Sequence, residues 1–252
     1  MAADRTYRAV LRVGAAVLRA ADVRIAATGL EHLPATGPAV LATNHTGYLD
    51  FVLAGWVGRE RGRLVRFMAK ASVHDSLLSG RLMRAMRHVR VDRHAGASAY
   101  RAARRLLADG EVVGVFPEAT ISRAFRIKRL KPGAAALALT ADAPLVPCAI
   151  WGGHRLVTVD GRRTLRRGVA VQIALGPPLA PHPGESPAEL TERLHAAMSA
   201  LLDDAIAAYP QRPGDGEEPW WVPADLGGSA PDVATGAALD RAALERLGEP
   251  AD

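Results

Sequence analysis

The chain has 252 residues, one cysteine, a net charge of +6, and aromatic side chains at 5% of its positions. That length buries a full core, as one α/β domain or a domain with a tail. A single cysteine excludes an intramolecular disulfide and a cysteine-rich metal site, and fits a reducing, cytoplasm-facing setting.

The charge is uneven, with −6 over residues 211–252 and +12 over the 210 residues before them. A body this basic implies an anionic partner. Its few aromatics do not interleave with basic residues, so phosphate and lipid headgroups fit better than nucleic acid, which is not expected as a partner.

In chain order, residues 5–21 read as a helix within an N-terminal segment 1–22. At about 100° per residue, Arg5, Arg8, Arg12 and Arg19 fall in a sector about 60° wide, opposite Tyr7, Val10, Leu11, Val17 and Leu18. Such an amphipathic helix either lies in a membrane interface, arginines toward anionic lipid, or lays its apolar side on the protein core; the pattern satisfies both. No apolar stretch reaches the roughly 18 residues of a spanning helix. Strands follow near 23–28 and 38–43, a helix near 48–58 and a strand at 65–69. Next come a helix near 76–86, a strand near 88–92, a helix over 98–107 and a strand at 112–116. A helix near 133–141, strands near 145–151 and 169–175, and a helix over 187–208 opened by Ser186-Pro187 complete the pattern. Strands alternating with helices predict an α/β fold with a mostly parallel central sheet flanked by helices, over 23–209.

Cys148 lies in the apolar run Pro144–Ile150 and reads as a core thiol. From 210 onward Pro, Gly and acids mark an acidic C-terminal extension, 210–252, with Trp220-Trp221-Val222-Pro223 as an aromatic plug and a short helix over 237–247.

Two constellations carry chemistry. Asn44-His45-Thr46-Gly47-Tyr48-Leu49-Asp50 sits on the turn between a buried strand and a helix. Five residues along one regular helix would turn the two side chains about 140° apart, so for them to meet His45 must precede the helix and Asp50 lie in its first turn. Asp50 would then fix the imidazole tautomer while the other ring nitrogen deprotonates a hydroxyl, the apparatus of acyl transfer to an alcohol. By itself the pair also suits a turn histidine beside a helix N-terminal acid. The second constellation, Phe116-Pro117-Glu118-Ala119-Thr120-Ile121-Ser122, follows a strand at the carboxyl end of the sheet, where open α/β folds place ligands. Arg123, Arg126, Lys128, Arg129 and Lys131 come directly after it. No GxSxG nucleophile motif is present, and the remaining histidines lack ligand spacing, so no metal is expected.

NHxxxxD, then a strand ending in FPE with Thr and Ser behind it, then a strand containing Val146-Pro147, resembles the glycerophospholipid acyltransferase family over roughly residues 25–205. The resemblance implies acyl transfer from acyl-CoA or acyl-carrier protein, as co-substrate without a further cofactor, to a lysophosphatidic acid or related lysolipid, at the cytoplasmic face of the cell membrane on a peripheral or monotopic protein. It makes His45 the base and Asp50 its orienter, and sets Glu118 against the acceptor with Thr120 and Ser122 in the same loop. Arg93 matches a phosphate-binding arginine and Lys70 a lysine that assists the thioester oxyanion. The family's FPEGTRS is FPEATIS here, with Ala119 for the glycine and Ile121 for the arginine, and Arg87 and Arg90 replace a glycine and an aromatic before Arg93. Arg123 or Arg126 could supply the missing charge, since guanidinium binds phosphate bidentately. Two rivals remain: the same chemistry on another lysophospholipid or glycolipid, and a noncatalytic anionic-lipid-binding protein that keeps the fold.

Overall fold

The computed structural model describes residues 2–92 and 96–246. Helix α1 (Ala2–Ala20) leads into β1 (Arg24–Thr28) and β2 (Ala39–Thr43), then α2 (Asp50–Glu60) and β3 (Val65–Lys70). Two short helices, α3 (Ala71–Asp75) and α4 (Leu77–Ala85), precede β4 (Val89–Val91), followed by α5 (Gly96–Ala108), β5 (Val112–Val115), α6 (Gly133–Ala141), β6 (Leu145–Trp151) and β7 (Ala170–Leu175). Helices α7 (Pro187–Ala207) and α8 (Val233–Arg246) complete the chain.

The strands form one seven-stranded sheet in the order β1-β7-β6-β2-β5-β3-β4. Five of them are mutually parallel; β7 runs antiparallel to β6, and β1 is parallel to β7. Every residue of β2 and β6 is buried, as helices on both faces of a parallel sheet require. The pleat sorts alternate residues. Val40 and Ala42 face a core with Ala103 and Leu107 of α5, Leu137 of α6, and Leu190, Leu194 and Met198 of α7. Ala39 and Leu41 face the other core, with Leu53, Ala54 and Val57 of α2 and Leu18 of α1. Cys148 belongs to this second core, and burial pushes its thiol pKa up to about 12. Helix α7 opens on a capping box, Ser186 with Glu189, and has proline in its first turn.

The structure divides the stripes of α1 between body and solvent. Tyr7, Leu11 and Leu18 are buried, with the Tyr7 hydroxyl donating to the Val65 carbonyl at 2.6 Å. Gly14 and Gly55 bring α1 close to α2, since a Cβ on either would touch Val52 or Leu11. Arg66, buried in β3, ties Asp4 to Glu111 and donates to the Met86 carbonyl. Most of the apolar stripe is thus spent on the core. Arg5, Arg8, Arg12 and Arg19 face outward, together with Val13 and Val17 at 64% and 61% exposure.

Candidate active site

Strand β2 ends at Thr43, β5 at Val115 and β3 at Lys70, all at one edge because these strands are parallel. The loops leaving β2 and β5 meet there, beside β6. The Asn44 side chain extends the β2–β6 ladder by one rung, its amide donating to the Ile150 carbonyl and its oxygen accepting from the Ile150 N–H. A buried amide must find such partners, and this pair sets the direction in which the chain leaves the strand.

His45 comes next, and its ring Nδ1 lies 3.0 Å from Asp50 Oδ2. The same oxygen accepts from the backbone N–H groups of Thr46 at 2.6 Å and Gly47 at 2.8 Å. With Oδ2 accepting throughout, the ring nitrogen facing it is the N–H, and the Nε2 lone pair is left to take a proton. Asp50 is the first residue of α2 and fully buried, where the helix dipole favours a carboxylate. The tight turn needs Gly47: a Cβ there would lie 2.9 Å from His154 Cα and from the Val157 carbonyl oxygen. On the far side of the turn the Thr158 hydroxyl donates to the Thr46 carbonyl.

The His45 backbone is held from the β5 loop as well. Its N–H donates to Glu118 Oε1 at 2.8 Å, its carbonyl accepts from the Ser122 N–H at 2.7 Å, and Glu118 Oε2 accepts from the Lys128 N–H at 3.0 Å. Glu118 is therefore turned inward, spending one oxygen on the His45 amide and the other on the Lys128 amide of its own loop. Burial raises its pKa from 4.5 to about 7, against the lowering by those amides and by Lys128. Ser122, fully buried, donates its hydroxyl to the Arg126 carbonyl. The imidazole stacks on Phe116 at 4.4 Å, and Phe116 stacks on Phe67 at 5.8 Å. Phe67 lies flat against Gly114, where a Cβ would meet its ring at 2.6 Å. One face of the base is apolar and dry; its side chain is 22% exposed.

The other expected residues are placed unevenly. Lys70 ends β3, separated from β2 by β5, with its side chain exposed. Arg93 lies outside the described residues. The Thr120 hydroxyl accepts from Lys128 Nζ. Arg123 pairs with Asp160 and Asp240, and Arg126 with Asp203 and Asp225, so the chain's own carboxylates already engage both guanidiniums. Ile121 is buried. Asn44, Gly47, Phe116 and Thr158 complete the site without having been expected in it. Its place beside His45 in the NHxxxxD pattern was the available signal for Asn44. A cavity of about 490 Å³ between α7 and the extension, lined by Trp151, Tyr209, Trp221 and Leu226 among others, includes neither His45 nor Asp50.

The His45–Asp50 pair, at the carboxyl edge of this sheet, falls within residues 24–151, which match the family model described as Acyltransferase. The chain belongs to the acyltransferase family. It is 30% identical over 177 residues to a 1-acyl-sn-glycerol-3-phosphate acyltransferase of Bacillus subtilis, covering 70% of this chain and 83% of that protein. It is 28% identical over 144 residues to a chloroplastic 1-acyl-sn-glycerol-3-phosphate acyltransferase of Arabidopsis thaliana, covering 56% of this chain and 39% of that protein. The crystal structure of the 1-acyl-sn-glycerophosphate acyltransferase of Thermotoga maritima matches with a TM-score of 0.68 at 19% identity, over 81% of each chain, and shows the shared fold. These relatives support a glycerolipid acyltransferase activity.

Two outcomes follow for this acyltransferase from the β5 loop. Ala119 has φ +62°, in the left-handed region, which costs a residue with a Cβ about 1–2 kcal/mol. Glycine relieves that and loses part of the gain to chain entropy. Ala119→Gly should raise the unfolding free energy by about 0.5–1 kcal/mol, measured by urea denaturation; a loss of stability would contradict the strain. For Glu118, a raised folded pKa makes its contribution to stability fully present below 4.5 and lost as pH rises through about 7. Denaturation at pH of about 5 and about 8 should show wild type losing more stability than Glu118→Gln over that interval. The glutamine amide would also face a backbone N–H, so kcat should fall about tenfold or more with the acyl-donor KM nearly unchanged.

Proposed function

We propose that this acyltransferase moves a fatty acyl group from the thioester of acyl-CoA or acyl-carrier protein to the free hydroxyl of 1-acyl-sn-glycerol-3-phosphate, giving phosphatidic acid. The observation that carries this reading is the His45–Asp50 pair, with Nδ1 committed to the carboxylate and Nε2 open, on a chain of this family. His45 Nε2 takes the hydroxyl proton as the alcohol oxygen attacks the thioester carbon. The C–S bond then breaks, and the leaving thiolate recovers the proton from the imidazolium. The attack is direct, and no acyl-enzyme forms. Asp50 stabilises the transient imidazolium and keeps the tautomer. Lys70 is assigned to the oxyanion and Arg93 to the acceptor phosphate, by resemblance.

A second reading, the same chemistry on another lysophospholipid or on a glycolipid, draws on a specific observation. Position 121, an arginine in the family pattern, is a buried isoleucine here, and the nearby guanidiniums are engaged by carboxylates. A panel of lysolipid acceptors with one thioester donor, followed by thiol release, separates the two.

We place the enzyme at the cytoplasmic face of the membrane as a peripheral or monotopic protein. Among the described residues no helix is long and apolar enough to cross a membrane. The outward arginines of α1, Val13 and Val17, with exposed Tyr48 and Phe51 at the start of α2, supply cationic and apolar contacts for anionic lipid.

Removing the base should remove turnover. His45→Ala should lower kcat by about 10²–10⁴ with the fold intact by circular dichroism, and Asp50→Asn should lower it with the imidazole present but misdirected. Most of the wild-type rate in either variant would remove the base assignment. Reversing Arg5, Arg8, Arg12 and Arg19 to glutamate should weaken co-sedimentation with anionic vesicles by about 1000-fold, at about 1 kcal/mol per basic residue. The melting temperature should stay close to wild type, since these side chains face outward.

A further inference from the structure

Among the cationic residues behind the FPE motif, two cations meet at one carboxylate, with the Thr120 hydroxyl on one of them and Asp160 on the outer side of the other. Arg123 Nε donates to Asp240 Oδ1 at 3.0 Å and Lys128 Nζ to Asp240 Oδ2 at 2.7 Å, while Lys128 Nζ also reaches the Thr120 hydroxyl and, at 3.3 Å, the Ile121 carbonyl. The side chains of Arg123, Lys128 and Asp240 are 11%, 16% and 11% exposed. At that burial two cations need an anion against them, because a buried charge left without a partner is strongly destabilising. A guanidinium, an ammonium and a hydroxyl are also the donors that bind a phosphate group.

The element that supplies the carboxylate is weakly attached. Helix α8 has 14 residues, of which only Gly236 is buried; Val233 and Leu239 are 54% and 42% exposed. A helix this short is marginal on its own, and little apolar burial holds it. What fastens it is the Asp240 ion pairs and the close approach of Gly236 to Ala124. Elsewhere the extension meets this loop through the Asp225 carboxylate, which takes the Arg126 fork, Nε at 3.1 Å, and through Trp221 and Ala230, which share an apolar cluster with Phe125. The cluster is joined to the His45 turn, since Lys128 N–H bonds Glu118 and Ser122 N–H bonds His45.

We propose that Arg123, Lys128 and the Thr120 hydroxyl form a binding site for a phosphate group, and that Asp240 on α8 keeps this site shut until a phosphate group takes its place. Displacement exchanges one anion for another at the same cations, so the buried charges stay compensated while α8 lifts from the loop that holds the base. The proposal rests on the lipid acyl-transfer reading for the phosphate's source, a headgroup, and not for the chemistry of the site. Binding and turnover are therefore read separately.

The test is amide hydrogen exchange of residues 233–246 in the full chain, with phosphatidylcholine vesicles, the same vesicles containing phosphatidic acid, inorganic phosphate, and chloride at matched ionic strength. Exchange of α8 should quicken about tenfold with phosphatidic acid vesicles and stay at the chloride level with phosphatidylcholine alone. Equal quickening by inorganic phosphate would support the site and make free phosphate a sufficient occupant. No quickening by either phosphate source beyond chloride would overturn the gate. In parallel, Asp240→Asn should bind inorganic phosphate about tenfold more tightly than wild type by calorimetry; equal affinity would also overturn it. Thiol release on the same wild-type samples keeps the readings apart. An exchange response without turnover counts against acyl transfer alone, and turnover without a response against the gate alone.

Discussion

One carboxylate oxygen organises the turn that carries His45. Asp50 Oδ2 accepts from the His45 ring and from the amides of Thr46 and Gly47, so a single buried charge both aims the imidazole and closes the backbone that carries it. Three charge-assisted bonds at one atom, on the dipole-favoured end of α2, offset the desolvation of a carboxylate that has no exposure. The dependence runs both ways, because Gly47 must pass within contact of His154 for the turn to reach Asp50 at all. Orientation of the base is therefore a property of the whole β2–α2 connection.

A second carboxylate secures that connection from the neighbouring strand. Glu118 joins the loops after β2 and β5 through two amides, and Ser122 returns a third bond to the His45 carbonyl. The Phe67–Phe116–His45 stack stiffens the same junction on its apolar side. His45 is thus held at its backbone by Glu118 and Ser122 and at its ring by Asp50, a pre-organised placement of one imidazole.

Much of this was legible in the residues. The alternation of apolar runs located all seven strands, and the five-residue spacing required His45 before α2 and Asp50 in its first turn, where both are found. What was hidden has physical reasons. A loop glutamate after proline reads the same whether it faces a substrate or its own backbone, so the inward turn of Glu118 required the meeting of two loops distant in sequence. The partners of Arg123 and Arg126 lie at positions 160, 203, 225 and 240; composition showed a basic body and an acidic tail but not that they neutralise each other side chain by side chain. The amphipathic pattern of residues 5–21 fitted core and membrane equally, and only Tyr7, Leu11 and Leu18 under α2 and β3 show where most of the apolar side went.

The reversed direction of β7 has a topological consequence. Because β7 begins at the edge where β6 ends, it finishes at the opposite edge, and α7, about 32 Å long at 1.5 Å per residue, carries the chain back. Its end arrives beside β7's first residues, with the Tyr209 hydroxyl on the Ala170 carbonyl. Had β7 been parallel to β6, the same helix would have left the chain at the far edge, out of reach of the catalytic loops. Any peptide appended behind α7 therefore begins its path at the same edge of the sheet as His45, two strands away. Lengthening, shortening or fusing the chain at that point changes what lies at this edge while leaving every strand of the sheet untouched.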